Sequence, residues 1–404
     1  MSDQEPLALV LSGGAARGAY EVGVIRYLRE ELPRLLGRQP QLDILSGSSV
    51  GAIHAAWLAA TADEPETQGK LLAAAWGELD MAEILPFRFA GGARFAARAL
   101  GTMTASEGKA TTRPLFDDIV NTRPIQELIR DKIPWERISP NIDSGHVRAL
   151  TVSAFDYLNT RTTVFVERAD GESYPASADR RRIPVAAKIA PDHVLASAAM
   201  PLLFPPIWIG DSWFGDGGLR QNTPLSPALR LGAAKALVVS LKHRPKVKAT
   251  AIGSHKRPPS NLSMAGRLLG ALMLDPVEYD MQVLERINKL IEATGQDSTA
   301  AIAGAMHRAR GAQYRQVKCL AISPSRDLGV MAGQFLVGLK QRPGLPRWGL
   351  RLLERVARVE PGGEVDLASY ILFDGAFASQ LIELGMQDSH ARCEELVEFI
   401  SSDR

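Results

Sequence analysis

Cysteine is nearly absent from this chain. Cys319 and Cys393 are the only two in 404 residues, with no CxxC pair and no Cys/His ligand spacing around them. That excludes a disulfide framework and a structural zinc site, and makes a reducing compartment the expected setting. Net charge is equally scarce: 47 Lys and Arg against 45 Asp and Glu leave +2, too little for bulk attraction to nucleic acid or acidic lipid. Aromatic residues are few and not interleaved with basic ones as on an RNA-binding sheet, and no helix-turn-helix or zinc-finger spacing occurs, so nucleic acid is not an expected partner. No segment has 18 uninterrupted apolar residues, and MSDQEPLALVLSGG carries acids where an export signal has its positive charge. The expectation is a cytoplasmic or peripheral membrane protein with neither signal peptide nor transmembrane helix.

What is present is an ordinary globular composition, 46% apolar and 23% charged, which excludes disordered, collagen-like and coiled-coil classes. Leu7 to Ser12 is a short apolar run ending at Gly13-Gly14, and helical periodicity follows from Gly18 to Leu36. The same grammar repeats at once, with an apolar run from Leu42 to Ser46, a turn at Gly47-Ser48-Ser49-Val50-Gly51 and an alanine-rich helix to Ala60. Two strand-turn-helix units in succession predict an α/β protein with a mainly parallel sheet. Further strands are predicted at 148–154, 162–167, 236–241 and 317–323, and a hairpin over 206–216 around Gly210-Asp211. The expected organisation is a catalytic α/β domain over 1–245, with a lid or insertion at 80–115, and a mostly helical extension over 246–404 that contributes the strand at 317–323. Lys242 to Ser263 reads as a linker.

Gly47-x-Ser49-x-Gly51 is the sharpest chemical signal. A strand entering a helix through this turn presents the middle serine at the tip of a strained bend, and small flanking residues let the helix pack tightly. At a helix N-terminus the aligned backbone dipoles also favour developing negative charge. Ser12-Gly13-Gly14-Ala15-Ala16-Arg17-Gly18 is a second glycine turn whose N–H groups can converge on an anion. It fails as GxGxxG because position 15 is Ala, and as a P-loop because no Lys-Ser/Thr follows, which leaves an oxyanion hole or a packing turn.

A nucleophilic serine needs a base. His54 lies five residues past Ser49, too far round the helix to meet its hydroxyl easily, and reads as a packed or solvated histidine. A Ser-His-Asp esterase using another of the seven histidines is a further reading. The other candidate is Asp216 in Gly215-Asp216-Gly217-Gly218, which would need desolvation to be basic enough. Asp170-Gly171 and Asp374-Gly375 in the same chain illustrate the plain-turn alternative.

Taken together, SGGAARG, GSSVG and FGDGG, in that order and with ASAAMPLLFPP before the last, resemble the patatin-like phospholipase family. The resemblance runs from about Leu7 to Leu241, and the later PSRDLG and LFDG stretches look like bacterial members. It implies a three-layer α/β/α fold and a Ser-Asp dyad with no catalytic histidine, metal or other cofactor. By that resemblance Ser49 attacks a lipid acyl ester and forms an acyl-enzyme, Asp216 takes its proton, and Gly13, Gly14 and Ala15 form the oxyanion hole. Arg17, with Gly18, shapes that loop or approaches a phosphate; Gly47 and Gly51 flank the nucleophile, and Gly217 and Gly218 follow the base. The expected partner is a phospholipid or other lipid acyl ester. One departure stands out: the family usually has a third glycine where this chain has Ala15, which keeps open a non-catalytic protein of the same fold that binds lipid or another partner.

Two segments are candidates for lipid contact. Gly338 to Val359 sets Lys340, Arg342, Arg347, Arg351, Arg355 and Arg358 among Trp348 and leucines, a basic amphipathic helix suited to anionic membrane or to packing on its own domain. Phe87 to Met103 carries Phe and Arg in the manner of a lid or docking surface.

Overall fold

Strand β1, Leu7–Leu11, sends alternate side chains into two different cores. Leu7, Leu9 and Leu11 join a large cluster on one face, while Ala8 and Val10 join a smaller one on the other. A strand buried on both faces reads as a continuous apolar run, and helices must cover it front and back. The computed structural model describes residues 5–84, 121–169, 181–201, 204–219, 224–243, 275–293, 316–338 and 368–402, together with residue 304. The lid segment Phe87 to Met103 lies outside the described residues, as do the linker and the basic segment beyond their first residues.

Eight more strands complete the sheet among the described residues: β2 Ile44–Ser48, β3 Ala149–Asp156, β4 Arg161–Arg168, β5 Arg182–Ala186, β6 Ile207–Ile209, β7 Ser212–Asp216, β8 Lys235–Val239 and β9 Lys318–Ile322. The main order is β5-β4-β3-β2-β1-β8-β9. The central pairs β3-β2, β2-β1, β1-β8 and β8-β9 are all parallel, whereas β4 returns antiparallel to β3. The fold is therefore α/β with a mostly parallel central sheet. The strand expected at 317–323 is β9 and pairs with β8, so the chain beyond 246 enters the same sheet.

Helix α1, Ala19–Arg26, runs through a π turn at Tyr27–Glu31 into a last helical turn, Leu32–Leu36, and stops at Gly37, whose φ of 68° is the left-handed C-cap that glycine supplies without strain. Helix α2, Val50–Ala60, is buried along its whole length, and α3, Pro65–Gly77, packs beside α1. Helix α4, Pro191–Ser197, packs on β3, and α5, Gly375–His390, lies against α1. The opposite face is covered by Leu225–Arg230 and by Asp275–Ala293, through Leu225, Ala228, Met281 and Leu284. Each fully buried Leu, Ile or Val in these layers contributes roughly 1.5–3 kcal/mol. No helix among the described residues is long and apolar enough to cross a membrane.

Two sequence expectations shift. The second strand begins at Ile44 and runs to Ser48, two residues later than the apolar run suggests, because it pairs in register with β1 from Ala8 to Leu11. Strand β5 has no counterpart among the expected strands. It contains Pro184 and a half-exposed face, and as the terminal strand of the order it tolerates the missing N–H.

Candidate active site

The parallel pairing of β1 with β2 brings both glycine turns to the same end of the sheet, and Ala15 and Ser49 line one cavity there. Ser49 links β2 to α2 with φ 54° and ψ −126°, a region costing roughly 1–3 kcal/mol for a non-glycine residue. The surroundings enforce it. Gly51 packs so closely on β1 that a Cβ there would sit 2.3 Å from the Leu11 carbonyl oxygen.

Asp216 ends β7, which lies antiparallel to the far end of β3 with Asp216 opposite Ala154. Since β3 runs parallel to β2 with Ser153 opposite Ser48, the carboxylate arrives beside the turn that carries Ser49. The Ser49 hydroxyl donates to Asp216 Oδ2 at 2.7 Å, and the Gly218 N–H donates to Oδ1 at 2.7 Å. The aspartate is fully buried. Desolvation pushes its carboxyl up from 3.8 to about 6, against the opposing pull of the two hydrogen bonds from Ser49 and Gly218. Asp374 shows the contrast: it caps α5 by accepting the Ala376 and Phe377 N–H groups, a purely structural use of Asp-Gly. Asp170-Gly171 lies outside the described residues.

The loop after β1 is held from both sides. The Ser12 N–H donates to Glu21 Oε1 at 2.8 Å, and the Ser12 hydroxyl donates to the Val239 carbonyl at 2.7 Å. Gly13 and Gly14 follow, and Ala15 has φ 50°, the left-handed region that glycine enters freely and alanine does not. Gly18 packs on Val50, the residue after Ser49, with no room for a side chain. Arg17 is buried, donates through Nε to Ser369 Oγ at 2.7 Å, and stacks its guanidinium 4.2 Å over the Tyr370 ring. It thereby ties the loop to the C-terminal part of the chain.

His54 is fully buried, and its Nδ1 lies 2.8 Å from Glu21 Oε2. Burial pushes the imidazole down to about 3 and the Glu21 carboxyl well above its usual range. The histidine nearest Ser49 in sequence thus supports the core.

Ser197 was not singled out by sequence reasoning. Its hydroxyl accepts the Ser49 N–H at 2.9 Å and donates to the Ser153 carbonyl at 2.6 Å, pinning Ser49 to β3. The signal that could have found it is its place in ASAAMPLLFPP. Beyond Ser49 the cavity is apolar, lined by Ile53, Trp76, Leu79, Leu128, Met200 and Phe373 among others. Among the described residues no group of three His, Cys, Asp or Glu is placed to hold a metal.

Residues 9–229, more than half of the chain, match the Patatin family, patatin-like phospholipase, and the chain belongs to it. Membership defines the general class as lipid acyl hydrolases. No curated protein matches in sequence. Among solved structures the chain is similar to that of VipD from Legionella pneumophila, at 13% identity over 95% of this chain and 67% of the other, with a TM-score of 0.31.

Proposed function

We propose that the protein cleaves the acyl ester of a phospholipid or lysophospholipid through an acyl-enzyme on Ser49, with Asp216 as the only base. The observation that carries this reading is the 2.7 Å hydrogen bond from the Ser49 hydroxyl to a buried Asp216 beside an apolar cavity. In the first step the Ser49 proton passes to Asp216 as Oγ bonds to the carbonyl carbon, and the N–H groups around Gly13, Gly14 and Ala15 take the charge that develops on oxygen. The tetrahedral adduct collapses, the C–O bond to the alcohol breaks, and that alcohol leaves with the proton held by Asp216. Water then gives a proton to Asp216 and attacks the acyl-enzyme; the free acid departs and Ser49 regains its proton. An aspartate raised to about 6 suits this exchange near neutral pH better than one at 3.8. The apolar lining fits an acyl chain, and a lipid substrate makes peripheral membrane contact part of the same reading.

The left-handed Ala15 favours the second reading, a lipid-binding protein without catalysis, because strain in the oxyanion loop is where activity would be lost. Intact-mass spectrometry after exposure to a fluorophosphonate ester separates the two. A single adduct on the wild-type protein, absent in Ser49→Ala and strongly slowed in Asp216→Ala, is the result expected of an activated serine. A folded wild-type protein that stays unlabelled, with and without lipid vesicles, would falsify the hydrolase reading.

A further inference from the structure

Aromatic residues make up only 6% of the chain, yet four of them occupy one face of one ribbon. Phe155 lies opposite Gly215 and Asp156 opposite Phe214, and the Tyr157 N–H donates to the Trp213 carbonyl at 2.9 Å. Trp208 lies opposite Trp213 in the β6-β7 hairpin. Side chains alternate along a strand, so Phe155, Tyr157, Trp213 and Trp208 share one face while Asp156, Phe214 and Asp216 share the other. The second face is buried. On the first, the Trp208 and Trp213 rings meet edge to face at 5.1 Å and those of Phe155 and Tyr157 at 5.2 Å. Trp208 is 49% exposed, Trp213 44%, and Leu158 at the adjoining turn 62%. Contiguous exposed aromatics of this kind mark an interaction surface.

Its position relates it to the active site. β3 runs past the nucleophile turn, and Trp213 precedes Asp216 by three residues on β7, so the tryptophan stands roughly 10 Å farther out along the strand, at the end of the sheet where Ser49 lies. The chain that lines the cavity at Met200 and Phe204 continues through Pro205-Pro206 directly into β6. The two turns of the ribbon, residues 157–160 and 210–211, carry one charge, Asp211, and no cation. Attraction to an acidic partner is therefore not what this surface offers. Indole and phenol rings, apolar in body with one polar handle, are the side chains that settle at the boundary between headgroups and acyl chains.

We infer that the aromatic face of the β6-β7 ribbon, Trp208, Trp213 and Tyr157 with Leu158, is the surface that seats this protein on a zwitterionic phospholipid bilayer. The inference rests on the lipid acyl-hydrolase reading and adds where and how the enzyme meets its substrate. Insertion of the rings brings the end of the sheet bearing Ser49 to the headgroup layer, so that an acyl chain reaches the cavity without full extraction into water.

The test uses full-length protein and phosphatidylcholine vesicles. With Ser49→Ala as the non-hydrolysing parent, tryptophan emission is expected to shift to the blue on vesicle addition and to be quenched by brominated acyl chains. Adding Trp208→Ala and Trp213→Ala together should weaken vesicle partition by about tenfold or more, and Leu158→Ser alone by about threefold, in proportion to the apolar area withdrawn. In the active background the same changes should leave hydrolysis of a water-soluble short-chain ester within about twofold while lowering hydrolysis of vesicle lipid by the partition factor. Unchanged partition in the double variant overturns the inference. So does partition that requires anionic lipid and ignores the tryptophans, or an equal loss on soluble and vesicle substrates, which would mean that the hairpin only supports Asp216. Failure of the hydrolase reading looks different: wild type would cleave neither substrate, while the partition measurements on Ser49→Ala stand.

Discussion

Ser49 Oγ and Asp216 Oδ2 lie 2.7 Å apart although they are 167 positions apart in the chain, and the Asp216 carboxylate that accepts this hydrogen bond is fully buried. Burial raises that carboxyl to about 6. A base must be ionised to accept a proton, so kcat/KM is expected to rise with pH through an apparent value near 6 and to level off above about 7. No second group on the rising limb is required, because His54 is engaged with Glu21 and is held down to about 3. A pH series of initial rates on a soluble ester checks this; a limb near 4, or one that disappears on replacing His54 rather than Asp216, would sink the dyad.

The same burial has a stability consequence with a definite sign. The folded state binds the Asp216 proton more tightly than the unfolded chain, so this group's contribution is greatest below about 3.8 and is lost as pH climbs to about 6. Above that the buried charge costs the fold about 3 kcal/mol. Asp216→Asn retains an acceptor for the Gly218 N–H and offers a donor to Ser49 while removing the charge. It should therefore be inactive yet melt a few degrees higher than wild type at pH 7.5, with the gap closing at pH 4. Differential scanning calorimetry at the two pH values decides it: equal or lower melting of the Asn variant at pH 7.5 contradicts the assigned cost.

Ala15 carries strain of a different origin. Its φ of 50° costs an alanine roughly 1–2 kcal/mol, part of which glycine would return through a more flexible unfolded chain. Ala15→Gly is expected to stabilise the protein by about 0.5–1 kcal/mol and to keep kcat within a few fold, since the N–H direction is set by the backbone conformation that both residues share. Urea unfolding of the two proteins measures the first part and ester turnover the second. A destabilised glycine variant would mean that the Ala15 methyl group, which lines the cavity, contributes more by packing than its backbone loses.

Much of this site is legible in the sequence, for reasons that are local. β1 and β2 are short apolar runs closed by glycine turns, so their type and the exposure of Ser49 follow from adjacent residues. The hairpin carrying Asp216 is marked by Gly210-Asp211, and Gly210 does adopt φ 56°. Long-range partners are another matter. Nothing around Lys318–Ile322 says that it pairs with β8, and nothing near Arg17 points to Ser369, 352 residues away. Ser197 reads as one small residue among alanines, and only the meeting of α4 with β3 turns it into a brace for Ser49. Glu21 and His54 sit on separate helices at positions that suit exposed or core residues alike, and their pairing emerges only when α1 and α2 pack against the same loop.

The contact between Arg17 and the chain's C-terminal part yields the last prediction. Arg17 lies two residues past Ala15, and its Nε bond to Ser369 and its stacking on Tyr370 fix the loop against a segment whose Phe373 also lines the cavity. The buried guanidinium points toward Ser369 and Tyr370. Arg17→Ala should lower kcat by more than about tenfold with little change in KM for a soluble ester, because the developing oxyanion depends on loop geometry more than ground-state binding does. Ser369→Ala, which removes the hydrogen bond and leaves the ring contact, should cost less, about two- to fivefold, with a small loss of stability. Turnover and melting temperature are measured on both variants. A folded Arg17→Ala protein with unaltered kcat would show that the C-terminal segment supports the fold alone, whereas a graded fall in kcat from Ser369→Ala to Arg17→Ala makes residues 368–373 part of the machinery that holds the oxyanion loop in place.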